Sequence, residues 1–178
     1  MAFSGMRRLF LGLSAVALGV GVLGGLDGAA RADPMPMPSG PVILTVTGAI
    51  DQANSPEGAQ FDLAMLEGMD PVDVQTSTIW THGPQTFTGV PLARLVAVLG
   101  AEGEVIAATA LNEYTVEIPL SDAVEGGPIL AFAQNGRHLS VRDKGPLWVI
   151  YPYDHDRDFQ TEVIYARSIW QVKRMEIR

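Results

Sequence analysis

Val141-Arg142-Asp143-Lys144-Gly145-Pro146-Leu147-Trp148-Val149-Ile150-Tyr151-Pro152 decides how the rest of this chain is read. Three charged side chains, a Gly-Pro turn, an apolar run and a closing proline follow one another, so a buried strand begins beside a cluster of hydrogen-bonding groups. Small-molecule pockets are built this way: a rigid strand forms the floor, and a loop at its mouth carries the polar groups. Arg142, Asp143 and Lys144 are placed to read the edge of a polar heterocycle, and Trp148 or Tyr151 to offer it a flat face. The same residues also fit a solvated turn ahead of a core strand.

Outward from this stretch, the N-terminus carries an export signal. Arg7-Arg8, an apolar run from Leu9 to Leu26 and then Ala30-Arg31-Ala32 read as a secretory leader over residues 1–32, cleaved after Ala32. Met6-Arg7-Arg8-Leu9-Phe10-Leu11 is also similar to a twin-arginine export core, and an uncleaved anchor is the alternative to cleavage. The whole chain of 178 residues has a formal charge of −8 and no cysteine. Without the leader, nine basic residues face nineteen acidic ones. That balance repels nucleic acid and anionic lipid, and the missing thiols exclude disulfides and thiolate metal sites. Stability rests on an apolar core.

Residues 33–41 hold four prolines and read as an extended tail, leaving 42–178 as one domain. Strands are expected over Val42 to Thr47, Val72 to Thr78, Val105 to Ala110, Tyr114 to Ile118, Ile129 to Gln134 and Trp170 to Ile177. Asp62 is placed to cap a short helix that Gly68 ends. The clearest helix follows Pro91, with Leu92, Leu95, Val96 and Leu99 on one face and Gly100 to close it. Asn135-Gly136 is a tight-turn signal that hands over to Leu139 to Arg142 as further strand. Together these predict an α+β domain, mostly mixed β-sheet with one or two short helices.

Four segments then become recognisable in succession: Phe87 to Val96, Ala110 to Pro119, Ile129 to Leu139, and Lys144 to Pro152, followed by an Ile169-Trp170 strand. They resemble the molybdopterin-binding domain of the sulfite oxidase fold. In the enzymes of that fold one cysteine thiolate holds molybdenum, on the segment that here reads Val74 to Thr78. A thiolate is soft and forms from the thiol near neutral pH, whereas an alcohol is a poorer donor, so molybdenum is not expected here. Ser77 or Thr76 would be the substitute ligand in the alternative reading, a molybdopterin-dependent oxidoreductase. Trp148 also stands where the enzymes usually carry arginine.

A cysteine-less exported branch is the better likeness, on Leu111 to Tyr114, Arg142 to Trp148 and Ala166 to Gln171. This branch resembles periplasmic pterin-binding proteins that regulate inner-membrane enzymes of cyclic di-GMP signalling. The resemblance implies a non-enzymatic periplasmic sensor, a tetrahydropterin-class ligand and a membrane-enzyme partner. A third reading is an interaction module with an empty pocket.

Pterin chemistry selects the candidate contacts. A carboxylate accepts the paired amino and ring N–H groups, which suits Asp143 or Glu113. Arg142, Lys144, Asn112 or Arg167 can donate to the carbonyl and adjacent ring nitrogen. Trp80, Phe87, Trp148 and Trp170 are the available plates, although for any one of them a core role is the commoner one. The charged residues read otherwise as surface ion pairs. His82, His138 and His155 show no ligand spacing, and Asp154-His155-Asp156 reads as a solvated loop.

Overall fold

The computed structural model describes residues 35–178. The proposed leader, residues 1–32, lies wholly outside them. Two sheets form the domain. The first is ordered β2 (Ala59–Phe61), β1 (Leu44–Gly48), β10 (Val172–Ile177), β5 (Val105–Ala110) and β6 (Thr115–Pro119). Strand β1 runs parallel to β10 and the other pairings are antiparallel, so this sheet is mixed. The second sheet is antiparallel and ordered β3 (Val72–Thr76), β4 (Gln85–Pro91), β7 (Ile129–Gln134) and β8 (Arg137–His138). Strand β9 (Trp148–Ile150) lies beside β8 along the same edge of β7.

Alternation decides which faces turn inward. Leu44 and Val46 on β1 and Val116 and Ile118 on β6 are buried, while their neighbours are more exposed. In β7 five successive residues, Ile129 to Ala133, are buried, because this strand is covered on both faces. Gly89 marks a register shift between β4 and β7, where a Cβ would stand 2.3 Å from the Leu130 carbonyl oxygen. Only a glycine lets the two backbones approach so closely.

Three short helices complete the fold. Helix α1 (Leu63–Glu67) is capped by Asp62, whose Oδ1 accepts the Met65 N–H at 2.9 Å. Its Oδ2 accepts the N–H groups of Ser39 and Gly40, both at 2.7 Å, and so ties down the proline-rich segment. Helix α2 (Leu92–Leu99) buries Leu92, Leu95 and Leu99, each contributing about 1.5–3 kcal/mol. Gly100 ends it in the left-handed conformation, φ 58°. Helix α3 (Glu162–Arg167) was not foreseen. Its signal is Thr161, whose hydroxyl accepts the Ile164 N–H at 3.3 Å.

Two strand expectations need correction. The strand from Val72 ends at Thr76, and Leu139 to Arg142 is not a strand. Strand β8 stops at His138, Leu139 plunges into the core, and Val141–Asp143 form a single 3-10 turn. Lys144 follows at φ 68°, then a cis Gly145–Pro146 peptide. A Cβ on Gly145 would stand 2.1 Å from the Leu139 carbonyl oxygen. That turn packs its own backbone too tightly to run extended. Among the described residues no helix is long and apolar enough to cross a membrane.

Candidate functional site

An aromatic cluster forms where the two sheets meet the β3–β4 loop and α3. Trp80, on that loop, lies edge-on to three rings: Trp148 at 5.8 Å, Tyr165 at 5.9 Å and Trp170 at 5.7 Å between centroids. Trp148 is also edge-on to Phe87 at 5.5 Å. Edge-to-face packing suits ring quadrupoles and fixes each plane against the next. Phe87 and Trp148 are buried, and the Trp148 Nε1–H donates to the Ser168 carbonyl at 3.2 Å. These two rings form the base.

A cavity of about 200 Å³ opens in front of that base, walled by Trp80, Tyr165 and Trp170. Asn112 and Tyr114, from the β5–β6 turn, form its polar side. The Asn112 Oδ1 accepts the Tyr114 N–H at 3.1 Å, so the NH2 end of this amide is the one able to donate. Ser168 supplies shape only, because its Oγ accepts from Tyr153 at 2.6 Å and donates to the Ile164 carbonyl at 2.8 Å. Trp170 is 38% exposed and Tyr114 58%, which puts both at the mouth.

Of the residues singled out from the sequence, the structure brings Trp80, Asn112 and Trp170 to the cavity wall, with Trp148 and Phe87 behind them. The charged residues lie elsewhere. Glu113 pairs with Lys173 and, at 3.7 Å, with Arg174; hydrogen bonding to Lys173 holds its carboxyl below the usual range. Arg142 is exposed on the 3-10 turn, and Asp143 accepts from the Ser140 hydroxyl at 2.7 Å. Asp143 instead lines a separate polar depression with Gln85, Gln134, Asn135, Arg137 and His138. Lys144 extends its Nζ to 5.5 Å from the Trp148 centroid and 5.7 Å from that of Trp170.

Arg167 turns away from the cavity into a partly buried network. Its Nη1 donates to Asp122 Oδ2 at 2.9 Å, and the same oxygen accepts the Tyr151 hydroxyl at 2.7 Å. Burial, reinforced by the Asp122 hydrogen bond, raises the Tyr151 phenol far above its ordinary value, and burial pushes Tyr153 up to about 12. Both tyrosines stay neutral and act as donors. Tyr165 was missed because α3 was missed, whereas Tyr114 and Ser168 stood in quoted motifs and only their roles went unread.

The residues on the segment aligned with the enzymes' metal ligand do not suit a molybdenum held through protein sulfur. Thr76 is fully buried, and its Oγ1 accepts the Asp154 N–H at 3.1 Å while donating to the Ser77 carbonyl at 3.3 Å. The Ser77 N–H returns a bond to Asp154 Oδ2 at 2.6 Å. A hydroxyl committed as both donor and acceptor, and far less acidic than a thiol, is a poor replacement for a thiolate.

One mixed and one antiparallel sheet with short helices, and an aromatic crevice beside them, make an α+β domain with room for a flat ring. Residues 64–154, half the chain, match the family described as the oxidoreductase molybdopterin binding domain, and the chain belongs to that family. Among solved structures it is similar to the sulfane dehydrogenase SoxCD from Paracoccus pantotrophus, at 18% identity and a TM-score of 0.57. That match covers 75% of this chain but only 37% of the other, and it speaks for the fold alone. No match was found among curated proteins.

Proposed function

We propose that this protein is a periplasmic pterin sensor: exported, cleaved after Ala32, and loaded with a reduced pterin that alters how it engages a membrane-bound enzyme of cyclic di-GMP signalling. The observation that carries the reading is the small aromatic cavity itself. At about 200 Å³ it lies below the roughly 300–1,000 Å³ of drug-sized ligand sites, so it suits a single flat ring system. Trp80, Tyr165 and Trp170 offer π faces and edges to such a ring, while Asn112 and Tyr114 offer hydrogen bonds to its rim. The partner rests on the family resemblance of the exported, cysteine-less branch. For occupancy to signal, the loaded and empty forms must differ in affinity for that partner.

The test is direct. Protein purified from the exported fraction is denatured, and the released small molecules are identified by mass spectrometry, with molybdenum measured on the same sample. A reduced or oxidised pterin without stoichiometric molybdenum supports the sensor. Stoichiometric molybdenum restores the oxidoreductase reading, and protein that neither carries nor takes up a pterin leaves an interaction module.

A further inference from the structure

The outer wall of the cavity, Trp170, is held by a device that the aromatic packing does not account for. Gln171 follows it with φ 55°, and three of its polar groups are tied to neighbouring segments. Its N–H donates to the Lys144 carbonyl at 3.0 Å, its carbonyl accepts the Leu111 N–H at 2.9 Å, and its Nε2 donates to the Val141 carbonyl at 2.8 Å. The 141–144 turn and the β5–β6 turn are thereby fastened to the residue after Trp170. Backbone bonds fix where the indole starts but not how it rotates. The Lys144 ammonium, 5.7 Å from the Trp170 centroid and 5.5 Å from that of Trp148, is attracted to both rings at once.

We propose that Lys144 is a positioning residue: its ammonium bridges the buried Trp148 and the half-exposed Trp170 and keeps the Trp170 ring standing as the cavity wall. It acts through the indole and does not itself line the cavity. A cation attracts both ring faces at once, although they stand at 84° to each other with centroids 6.4 Å apart, and this adds to the edge contact of Trp170 with Trp80 at 5.7 Å. An apolar side chain of equal length lacks this shared attraction and leaves the Trp170 ring to its edge contacts alone. Part of this inference, the effect on ligand, rests on the pterin reading; the effect on the ring does not.

The experiment compares wild type with Lys144→Met and Lys144→Arg, all sharing the same Cβ at the same positive φ, so backbone strain cancels. On ligand-free protein the expected result for Lys144→Met is a changed near-ultraviolet tryptophan dichroism and greater acrylamide quenching, at an unchanged far-ultraviolet spectrum. Lys144→Arg restores both. With tetrahydrobiopterin as the probe, calorimetry should show affinity about three- to tenfold weaker in Lys144→Met and recovered in Lys144→Arg, the range expected for losing one partly desolvated cation–π contact. Identical dichroism and quenching in Lys144→Met and wild type overturn the role of Lys144. Wild-type protein that takes up no pterin overturns the sensor reading instead, and the ligand-free spectra then decide the role of Lys144 by themselves.

Discussion

Thr76 and Trp80 stand four residues apart at the exit of β3, and the two ends of that short segment have opposite characters. At the first, hydroxyl, carbonyl and amide groups close on one another through Asp154, leaving a compact turn with its polar groups satisfied. At the second, an indole reaches out to three other aromatic rings and borders open space. A ring-binding site and a metal-binding site have different requirements. Flat-ring recognition needs only rigid π surfaces and a few donors, which packing supplies. Holding a high-valent metal through protein needs a soft ionised donor, and this chain has no cysteine to give.

The largest effect is expected at the turn that leads into the aromatic base, well away from Thr76. Gly145→Ala would force a Cβ to within 2.1 Å of the Leu139 carbonyl oxygen, a contact that only backbone movement can relieve. A loss of about 3 kcal/mol is expected, at the upper end for overpacking, read as a lowered chemical-denaturation midpoint. An unchanged midpoint would mean that this close approach is not a constraint on the fold.

A sharper probe separates the cavity from the charged turn beside it. Trp170→Ala should weaken tetrahydropterin binding by about 2 kcal/mol in titration calorimetry, as for an aromatic anchor. Arg142→Ala, exposed and outside the cavity wall, should leave affinity where it was. The reverse pattern would move the site from the aromatic crevice to the polar depression lined by Asp143.

A smaller change tests the other end of the segment. Asp154→Ala removes the acceptor of the Ser77 N–H, so stability should fall by about 1 kcal/mol, as for a charge-assisted hydrogen bond that is partly exposed. Pterin affinity should hold within twofold. A large loss of affinity would show that the β3 exit and the cavity work as one unit, with no division of character between Thr76 and Trp80.

Much of this architecture is legible in the residues because local rules and tertiary packing agree there. Pro91, three leucines at helical spacing and Gly100 specify α2, and Asp62 specifies α1, before any neighbour is considered. The 139–144 segment is where they disagree. Its composition fits a strand, but burying Leu139 and fitting Gly145 against it converts the chain to a 3-10 turn. The site was half legible for a similar reason. Aromatic residues announce themselves by type, so Trp80 and Trp170 could be named. The partners of Glu113, Arg167 and Lys144 lie about 60, 45 and 26 positions away or nearer, on other elements, and sequence type alone cannot say which way a long charged side chain turns.

The subtlest expected effect appears only in acid and involves neither end of the β3 exit. The carboxylate of Asp62 accepts the N–H of Met65, which is the largest influence, and those of Gly40 and Ser39, and together these hold its pKa below 3.8. The ionised form is favoured in the folded state, so its contribution is complete above the unfolded value near 3.8 and drains away as pH falls through the lower folded value. Asp62→Asn keeps a capping oxygen but cannot titrate. Its thermal midpoint should therefore decline less steeply than that of wild type below pH 4, with parallel curves at neutral pH. Equal acid slopes in the two proteins would mean that the tie between the 39–40 segment and α1 does not depend on charge. The acid sensitivity of the domain would then have to come from the surface pairs of Glu113 or Glu176, whose carboxyls are also lowered by basic neighbours.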